Sequence, residues 1–318
     1  MDQEKRNQYE IFLKSLEYIP IFYESWWLDA ISHDSWDYVS VSRNNEIFAA
    51  LVYSYSKKYI FNVIHNPLLT PYQGIINKYP PNQKMTTRLE YEKDIFNQLI
   101  EKLPPFDYYD QKFRPQFDNW LSFRWKGYSQ TTCYSYILED ISDTQEVFKN
   151  FRDNIKSDIR KAEKNLTVED GDAQSFYRLN SMTFSRQGMK VPYTLETVMR
   201  IDRALSERNR RKIFIARDGQ GRAHSGVYMI WDDRTAYYLM GGSDPLLRNS
   251  GATSLCLWNA IKFASGFVKE FDFEGSDIEP VERFFRAFGA KQHQYFHIKK
   301  INSRLLKLAF FLKGRGLF

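Results

Sequence analysis

One order of elements occurs twice along this chain, and that repeat constrains the fold more than any other feature. In the first half, residues 38–42, 47–55 and 59–64 read as three strands joined by turns at Asn44-Asn45 and Lys57-Lys58. In the second half, residues 212–216, 223–231 and 235–239 repeat the meander, with turns at Asp218-Gly219 and Asp232-Asp233. Each meander then meets a proline turn, Asn66-Pro67 or Asp244-Pro245, followed by a loop, a helix and another strand. The helices are expected over 88–103 and 254–265, the second from the helical spacing of Leu257, Ile261 and Ala264. The closing strands are expected over 107–113 and 270–274; in the latter, Phe271 and Phe273 alternate with Asp272 and Glu274, which predicts one apolar and one acidic face. The pattern predicts a tandem duplication of one α+β unit. A chain of 318 residues with 43% hydrophobic content accommodates two such domains, expected at 1–140 and 141–318.

Charge narrows the function classes. The formal net charge is +6, yet from Lys299 onward there are six basic residues and no acidic one, so the rest of the chain is formally neutral. That places the basicity in a tail and argues against a broad nucleic-acid-binding face. The tail, 305–315, is basic and apolar together: it either lies on an anionic inner membrane surface or packs its leucines and phenylalanines on the sheet. The arginine-rich stretch 196–212 reads as a solvated helix face, with contact to tRNA or another polyanion as the alternative. The charged residues 1–7 hold no apolar signal-peptide core, and no stretch approaches the ~20 apolar residues of a membrane span, so a soluble, cytoplasmic protein is expected. Cys133 and Cys256 have neither metal-ligand spacing nor the number for a disulfide framework, and a reducing compartment fits them. Cys256 is expected in the core. No metal site is expected: His293 and His297 lie four apart, but the strand-like residues between them supply no third ligand.

The two halves differ in the loop after the meander. The first reads Leu68-Leu69-Thr70-Pro71-Tyr72-Gln73-Gly74, stiffened by proline and short of consecutive free N–H groups; Tyr72 and Gln73 are expected there as exposed acceptor contacts. Trp26, Trp27, Trp36, Trp120 and Trp125 read as core of the first half or as a groove that stacks on sugar rings, with Trp120 a candidate contact. The second half places Arg248-Asn249-Ser250-Gly251-Ala252-Thr253 directly before a helix, where consecutive N–H groups and small side chains form either an anion site or an ordinary cap and turn. The preceding strand ends in Met240-Gly241-Gly242, two glycines that allow the backbone to splay and present its polar groups to an extended ligand.

These residues carry a resemblance. The run 237–300, with Gly241-Gly242-Ser243-Asp244-Pro245, the 248–252 loop, Phe271-Asp272-Phe273-Glu274-Gly275-Ser276 and the stretch 281–290, resembles the GNAT-type acyltransferase domain of the Fem family and its relatives. Ile19-Pro20-Ile21-Phe22, Trp26-Trp27-Leu28-Asp29, the 67–74 loop and the 119–127 stretch are similar to an uncharacterised bacterial subgroup, and Ile159-Arg160-Lys161-Ala162-Glu163-Lys164 resembles a stretch found between the halves of Fem-like chains. The resemblance covers nearly the whole chain. It implies two GNAT-like domains, each a twisted mixed sheet flanked by helices, the first degenerate and on the acceptor side, the second binding the donor. The family's loop would fall on Arg248, Asn249, Ser250, Gly251, Ala252 and Thr253, where its usual second glycine is absent or shifted.

The resemblance also implies the chemistry: transfer of an acyl or aminoacyl group to an amine or hydroxyl, with acyl-CoA as co-substrate and no tightly bound cofactor. Aminoacyl-tRNA is the alternative donor, and the absence of a long heptad arm favours acyl-CoA. An amino sugar or a cell-envelope precursor is the expected acceptor, at the cleft between the halves. A third reading is a ligand-binding or assembly protein that kept the fold without turnover. Orientation supplies most of such a rate and a general base adds roughly 10² to 10⁴-fold. Glu274 is the first candidate base, with Asp272 and Asp244 behind it; the alternative has Asp272 and Glu274 paired with Arg283 or Arg286. Backbone N–H groups near Gly241 and Gly242 are candidates for polarising the donor carbonyl.

Overall fold

The computed structural model describes residues 1–32 and 35–312. They divide into two units, Met1–Cys133 with Gln294–Phe318 and Tyr134–His293.

The first unit contains α1 (Gln3–Lys14), α2 (Ser25–Ser32), β1 (Trp36–Arg43), β2 (Glu46–Lys58), β3 (Phe61–His65), β4 (Gly74–Asn77), α3 (Met85–Glu101), β5 (Tyr108–Lys112), α4 (Leu121–Trp125) and the start of β6 (Ser129–Leu138). The expected first turn is present: Asn44 and Asn45 both have positive φ, 50° and 64°, the geometry of a two-residue hairpin turn. The expected second turn is displaced. Lys57 and Lys58 remain in β2, paired with Asn62 and Phe61, and the chain reverses at Tyr59 and Ile60. β3 then pairs parallel with β5, with α3 between them in sequence. Ile95, Phe96 and Leu99 of α3 are buried in one cluster with Leu51, Ile64, Tyr109 and Phe123.

The second unit continues with α5 (Thr144–Asn150), α6 (Asp153–Glu163), β7 (Leu166–Asp170), α7 (Ala173–Arg186), α8 (Leu195–Ser206), β8 (Arg211–Asp218), β9 (Ala223–Trp231), β10 (Thr235–Ser243), α9 (Ala252–Ala264), β11 (Glu270–Asp272), α10 (Glu279–Arg286) and the start of β12 (Lys291–Ile301); α11 (Arg304–Leu312) follows in the first unit. Local chemistry sets the helix ends. Asp172 caps α7 by accepting from Ser175 N, and Thr194 caps α8 by accepting from Thr197 N. Strands β7 to β10 form an antiparallel series, and β10 pairs parallel with β11 after α9. α9 is apolar nearly all round, and accordingly Leu255, Cys256, Leu257, Ala260 and Ile261 are all buried.

The repeat is therefore real at the level of topology: in each unit an antiparallel meander leads through a helix to a parallel strand. The fold is α+β, with mixed sheet pairing in each unit, flanked by helices. The last strand of each unit comes from outside its own half of the sequence. β5 is paired antiparallel by β12, and β11 by β6. For this reason the division falls at Cys133 rather than near 140, and the chain from Gln294 onward joins the first unit.

Candidate active site

One strand pair of the second unit's sheet parts early. β10 and β11 pair over only three residues, Thr235–Tyr237 with Glu270–Asp272. β10 runs on to Ser243 against β9, whereas β11 ends at Asp272. Beyond Tyr237, no residue of β11 stands opposite β10. Leu239 adds to this divergence as an extra residue in the ladder, since Tyr238 pairs with Met229 and Met240 with Tyr228.

The chain leaves β11 through a strained turn. Phe273 still donates its N–H to Tyr136 O, and its ring stacks on Phe285 at 5.2 Å. Glu274 then adopts φ 59° and Gly275 φ 68°. A glutamate in the left-handed region carries roughly 1–2 kcal/mol of steric penalty, of a kind that concentrates at functional sites. Asp272 is 2% exposed, and its Oδ1 accepts from Ser135 Oγ and from Glu274 N. Its carboxylate holds the turn that aims Glu274.

Two tyrosine hydroxyls share this environment. Burial pushes the phenols of Tyr193 and Tyr238 well above the ordinary tyrosine range, and the negative charge of Glu274 adds to both shifts. Tyr193 donates to Asn180 Oδ1 at 3.0 Å, and Asn180 Nδ2 donates to Gly241 O at 2.7 Å. Asn180 is buried on the same stripe of α7 as Phe176 and Leu179. Removing its amide would leave a buried carbonyl without this donor, at about 1–3 kcal/mol. The glycines beside it are matters of close approach. A Cβ on Gly242 would lie 2.3 Å from Asn180 N, and one on Gly241 would lie 1.6 Å from the Tyr238 hydroxyl.

The loop after β10 forms a short 3-10 turn, Arg248–Ser250, and leads into α9 through Gly251. No side chain caps α9, so its first amides, Ala252 to Ser254, are left as donors. The loop is held from behind by α6. Lys161 Nζ donates to Asn249 O at 2.8 Å, and a Cβ on Gly251 would lie 2.3 Å from Asp158 O. Gly251 has φ +79°, so both its conformation and the packing of α6 require glycine. Beside Ser250 opens a cleft of about 450 Å³ with Lys161, Asn165, Arg222 and His224 in its wall.

Residues 149–286 match the family model of the acetyltransferase (GNAT) domain. The chain carries a GNAT acyltransferase domain. This GNAT segment contains β10, the loop, α9 and Glu274. The whole chain is similar in fold to solved structures at low identity. It is 14% identical to the structure of FemX, covering 97% of this chain and 98% of that one with a TM-score of 0.67. It is 9% identical to the C-terminal domain of a putative lysylphosphatidylglycerol synthetase from Agrobacterium fabrum, covering 96% of each chain at a TM-score of 0.59. A tandem GNAT protein from the clavulanic acid biosynthesis pathway is 8% identical, with 95% and 96% coverage and a TM-score of 0.54. No curated protein matches the chain.

The structure brings several expected residues of the GNAT domain together and gives others a different role. Met240, Gly241 and Gly242 border the open edge, but the carbonyls of Gly241 and Gly242 accept from Asn180 Nδ2 and Ser225 Oγ rather than facing outward. Gly251 seats α6. Asp244 uses Oδ1 to accept from Leu246 N and so fixes the proline turn. The expected acidic face of β11 is absent, because the strand ends at Asp272 and that side chain is buried. Arg283 pairs with Glu279 and Arg286 with Glu282, each within α10. Cys256 lies in the core, where burial pushes its thiol up to about 12.

In the first unit, Tyr72 and Gln73 are not exposed. Tyr72 packs edge-on to Tyr295 at 5.0 Å, and Gln73, with no exposed surface, donates Nε2 to Phe22 O at 3.1 Å. The proline-stiffened loop is pinned at the end of β5, Gln73 N donating to Lys112 O. Trp27 and Trp36 are core, Trp120 packs half-buried against the first unit's core, and Trp125 is exposed. His293 meets Glu139 at 3.1 Å and His297 meets Asp110, so the two histidines have separate partners. Arg208, Arg210 and Arg211 are each paired with a carboxylate, Glu207, Asp233 and Asp202, as fits a solvated face.

Sequence reasoning missed Asn180 and Tyr193. Asn180 had a signal: it is a polar residue at i+4 from Phe176, inside an apolar stripe. Tyr193 had none, because it reaches the site from the connection between α7 and α8.

Proposed function

We propose that this protein moves an acyl or aminoacyl group from a CoA-type donor, held by the GNAT domain, to an amine or hydroxyl of a small molecule such as an amino sugar or a cell-envelope precursor. The observation that carries the reading is the edge of β10 left open past Tyr237, joined through the 244–251 loop to the uncapped start of α9. An extended donor suits the edge, and a pyrophosphate suits the free amides of Ala252, Thr253 and Ser254, with Arg248 exposed beside them. Lys161 adds positive charge behind the loop, whereas Arg222 in the same wall is paired with Asp218. CoA is a co-substrate in this reading. Glu274 is the proposed base that takes the acceptor's proton, Asp272 its positioning residue, Tyr238 a neutral hydroxyl beside it, and Tyr193 the residue that holds the Asn180 amide. Two buried cysteines outside any disulfide fit the cytoplasm.

The test is thermal stabilisation by CoA and acetyl-CoA of wild type, Arg248→Glu and Glu274→Gln. Ligand at a hundredfold excess over Kd stabilises by about 2.7 kcal/mol. Arg248→Glu is expected to lose that shift. Glu274→Gln is expected to keep it and lose roughly 10² to 10⁴-fold in acyl transfer. A CoA shift without any turnover would instead indicate a binding protein that kept the fold.

A second reading, aminoacyl transfer from tRNA, is favoured by the full-length similarity in fold to FemX and to the lysylphosphatidylglycerol synthetase domain. It predicts no CoA shift and a steep salt dependence of binding to charged tRNA.

A further inference from the structure

At the end of the first unit's sheet where β3 and β5 begin and β12 finishes, two elements leave large apolar side chains in solvent. One is the turn between β2 and β3, where Tyr59 is 96% and Ile60 68% exposed, next to Lys57 and Lys58. Tyr59 has φ 58°, an uncommon state for a bulky residue, so the turn is strained while holding an aromatic ring outward. The other is α11, in which Leu305, Leu308, Phe311 and Leu312 are 58%, 54%, 77% and 73% exposed and no residue is buried. Leu305, Leu308 and Leu312 are spaced as one helical stripe. Phe310 anchors the helix, its ring 5.7 Å from that of Tyr108.

Asp107 fixes these elements at one place. Its Oδ2 accepts from Asn62 N at 2.8 Å, and its carbonyl accepts from Asn302 N at 2.9 Å. Tyr108 stands opposite both Val63 and Ile301. The charge here is mainly positive: Lys57 and Lys58 on the turn, Lys299 and Lys300 at the end of β12, Arg304 and Lys307 on α11. Burial, then the charges of Lys126 and Lys307, lower the Lys300 pKa, as expected where like charges gather. The nearby carboxylates are engaged: Asp107 accepts from Asn62 N, Glu101 pairs with Lys126 at 2.6 Å, and Asp110, opposite Lys299, pairs with His297.

We propose that this face docks peripherally on an anionic lipid surface, with Tyr59, Ile60 and the α11 stripe entering the headgroup boundary and the surrounding lysines meeting the lipid charge. Charge complementarity selects this occupant. A symmetric contact between two copies would bring one basic face against another, whereas anionic headgroups neutralise it. The inference concerns the first unit and does not depend on which donor the GNAT domain uses. It extends the expectation for the tail, whose residues Lys313, Gly314 and Arg315 lie outside the described residues, to a second element far from it in sequence.

The experiment is vesicle co-sedimentation of the full chain, with vesicles of phosphatidylcholine alone or mixed with phosphatidylglycerol. Wild type should bind the mixed vesicles, bind the neutral ones far more weakly, and release as salt rises. Leu308→Ser with Phe311→Ser should lower partitioning at least about tenfold. Lys57→Gln and Lys58→Gln should each lower it about fivefold. Tyr59→Ser with Ile60→Ser should lower it as well, and all variants should keep the wild-type Tm because the altered side chains are exposed. Equal or absent binding to the two vesicle types would overturn the proposal, as would unchanged binding by the turn variant. Concentration-dependent dimerisation in sedimentation velocity, lost in the same variants, would assign the face to a second copy instead.

Discussion

Replacing Gly251 with alanine tests how the loop before α9 is built. The residue sits at φ +79°, where a side chain carries about 1–2 kcal/mol of steric cost. Its Cβ would also stand 2.3 Å from Asp158 O, a backbone atom of α6 that cannot rotate away. Relieving such an overlap moves a helix, at about 1–3 kcal/mol. The expected loss is therefore about 2–5 kcal/mol. Gly221→Ala is the control within the same unit: its φ is +76°, but nothing lies within 4 Å of the added carbon, so only the conformational cost of about 1–2 kcal/mol should appear. Urea unfolding of the two variants, compared through their midpoints at unchanged slope, isolates the packing contribution. At about 2–4 °C per kcal/mol for a domain of this size, the two should differ by about 2–12 °C in Tm. If Gly251→Ala unfolds with the same midpoint as Gly221→Ala, α6 does not press on the loop and the account of its geometry fails. The same result bears on ligand studies, since a large residue at 251 would abolish the proposed CoA binding by unseating α6 and would say nothing about contact with phosphate.

Two further outcomes follow from single residues. Glu274→Gly should raise stability by about 0.5–1 kcal/mol, because φ 59° suits glycine, while transfer activity is lost; a destabilised variant would show that the Glu274 side chain is structural. His65 is held below its ordinary value of 6.5, mainly by burial. Its neutral form therefore stabilises the first unit fully above the unfolded value, and that contribution is lost as pH falls through the lower, folded value. Urea midpoints measured from pH 8 down to pH 5 should fall less in His65→Gln than in wild type, and parallel curves would refute the assignment.

Much of the fold was legible before the structure, for local reasons. Runs bounded by turn residues placed the six meander strands, Asn44-Asn45 chose its turn, the helical spacing of Leu257, Ile261 and Ala264 placed α9, and the repeated order of elements placed α3. The second turn was misread because two lysines look like a loop, whereas their backbones still pair with β3. The candidate site was legible in outline only. Glu274 and the 248–253 loop stand out in sequence, but the roles of Asp272, Asp244 and the glycines do not, because each is defined by a neighbour distant along the chain. Tyr72 and Gln73 show the same limit: beside prolines they read as exposed, and a parallel bridge to Phe113 buries them.

Residue order by itself determined the repeated strand and helix units, the neutral body with its basic end, and the small residues before α9. These depend on periodicity and composition, which act over a few residues. Tertiary structure alone decided that β12 and β6 close the sheets, that β10 and β11 part after three pairs, and that Asn180 and Tyr193 reach the opening. Those facts rest on hydrogen bonds and close approaches between residues tens to more than a hundred positions apart, such as the one from Asn180 to Gly241, whose geometry exists only once the sheet has formed.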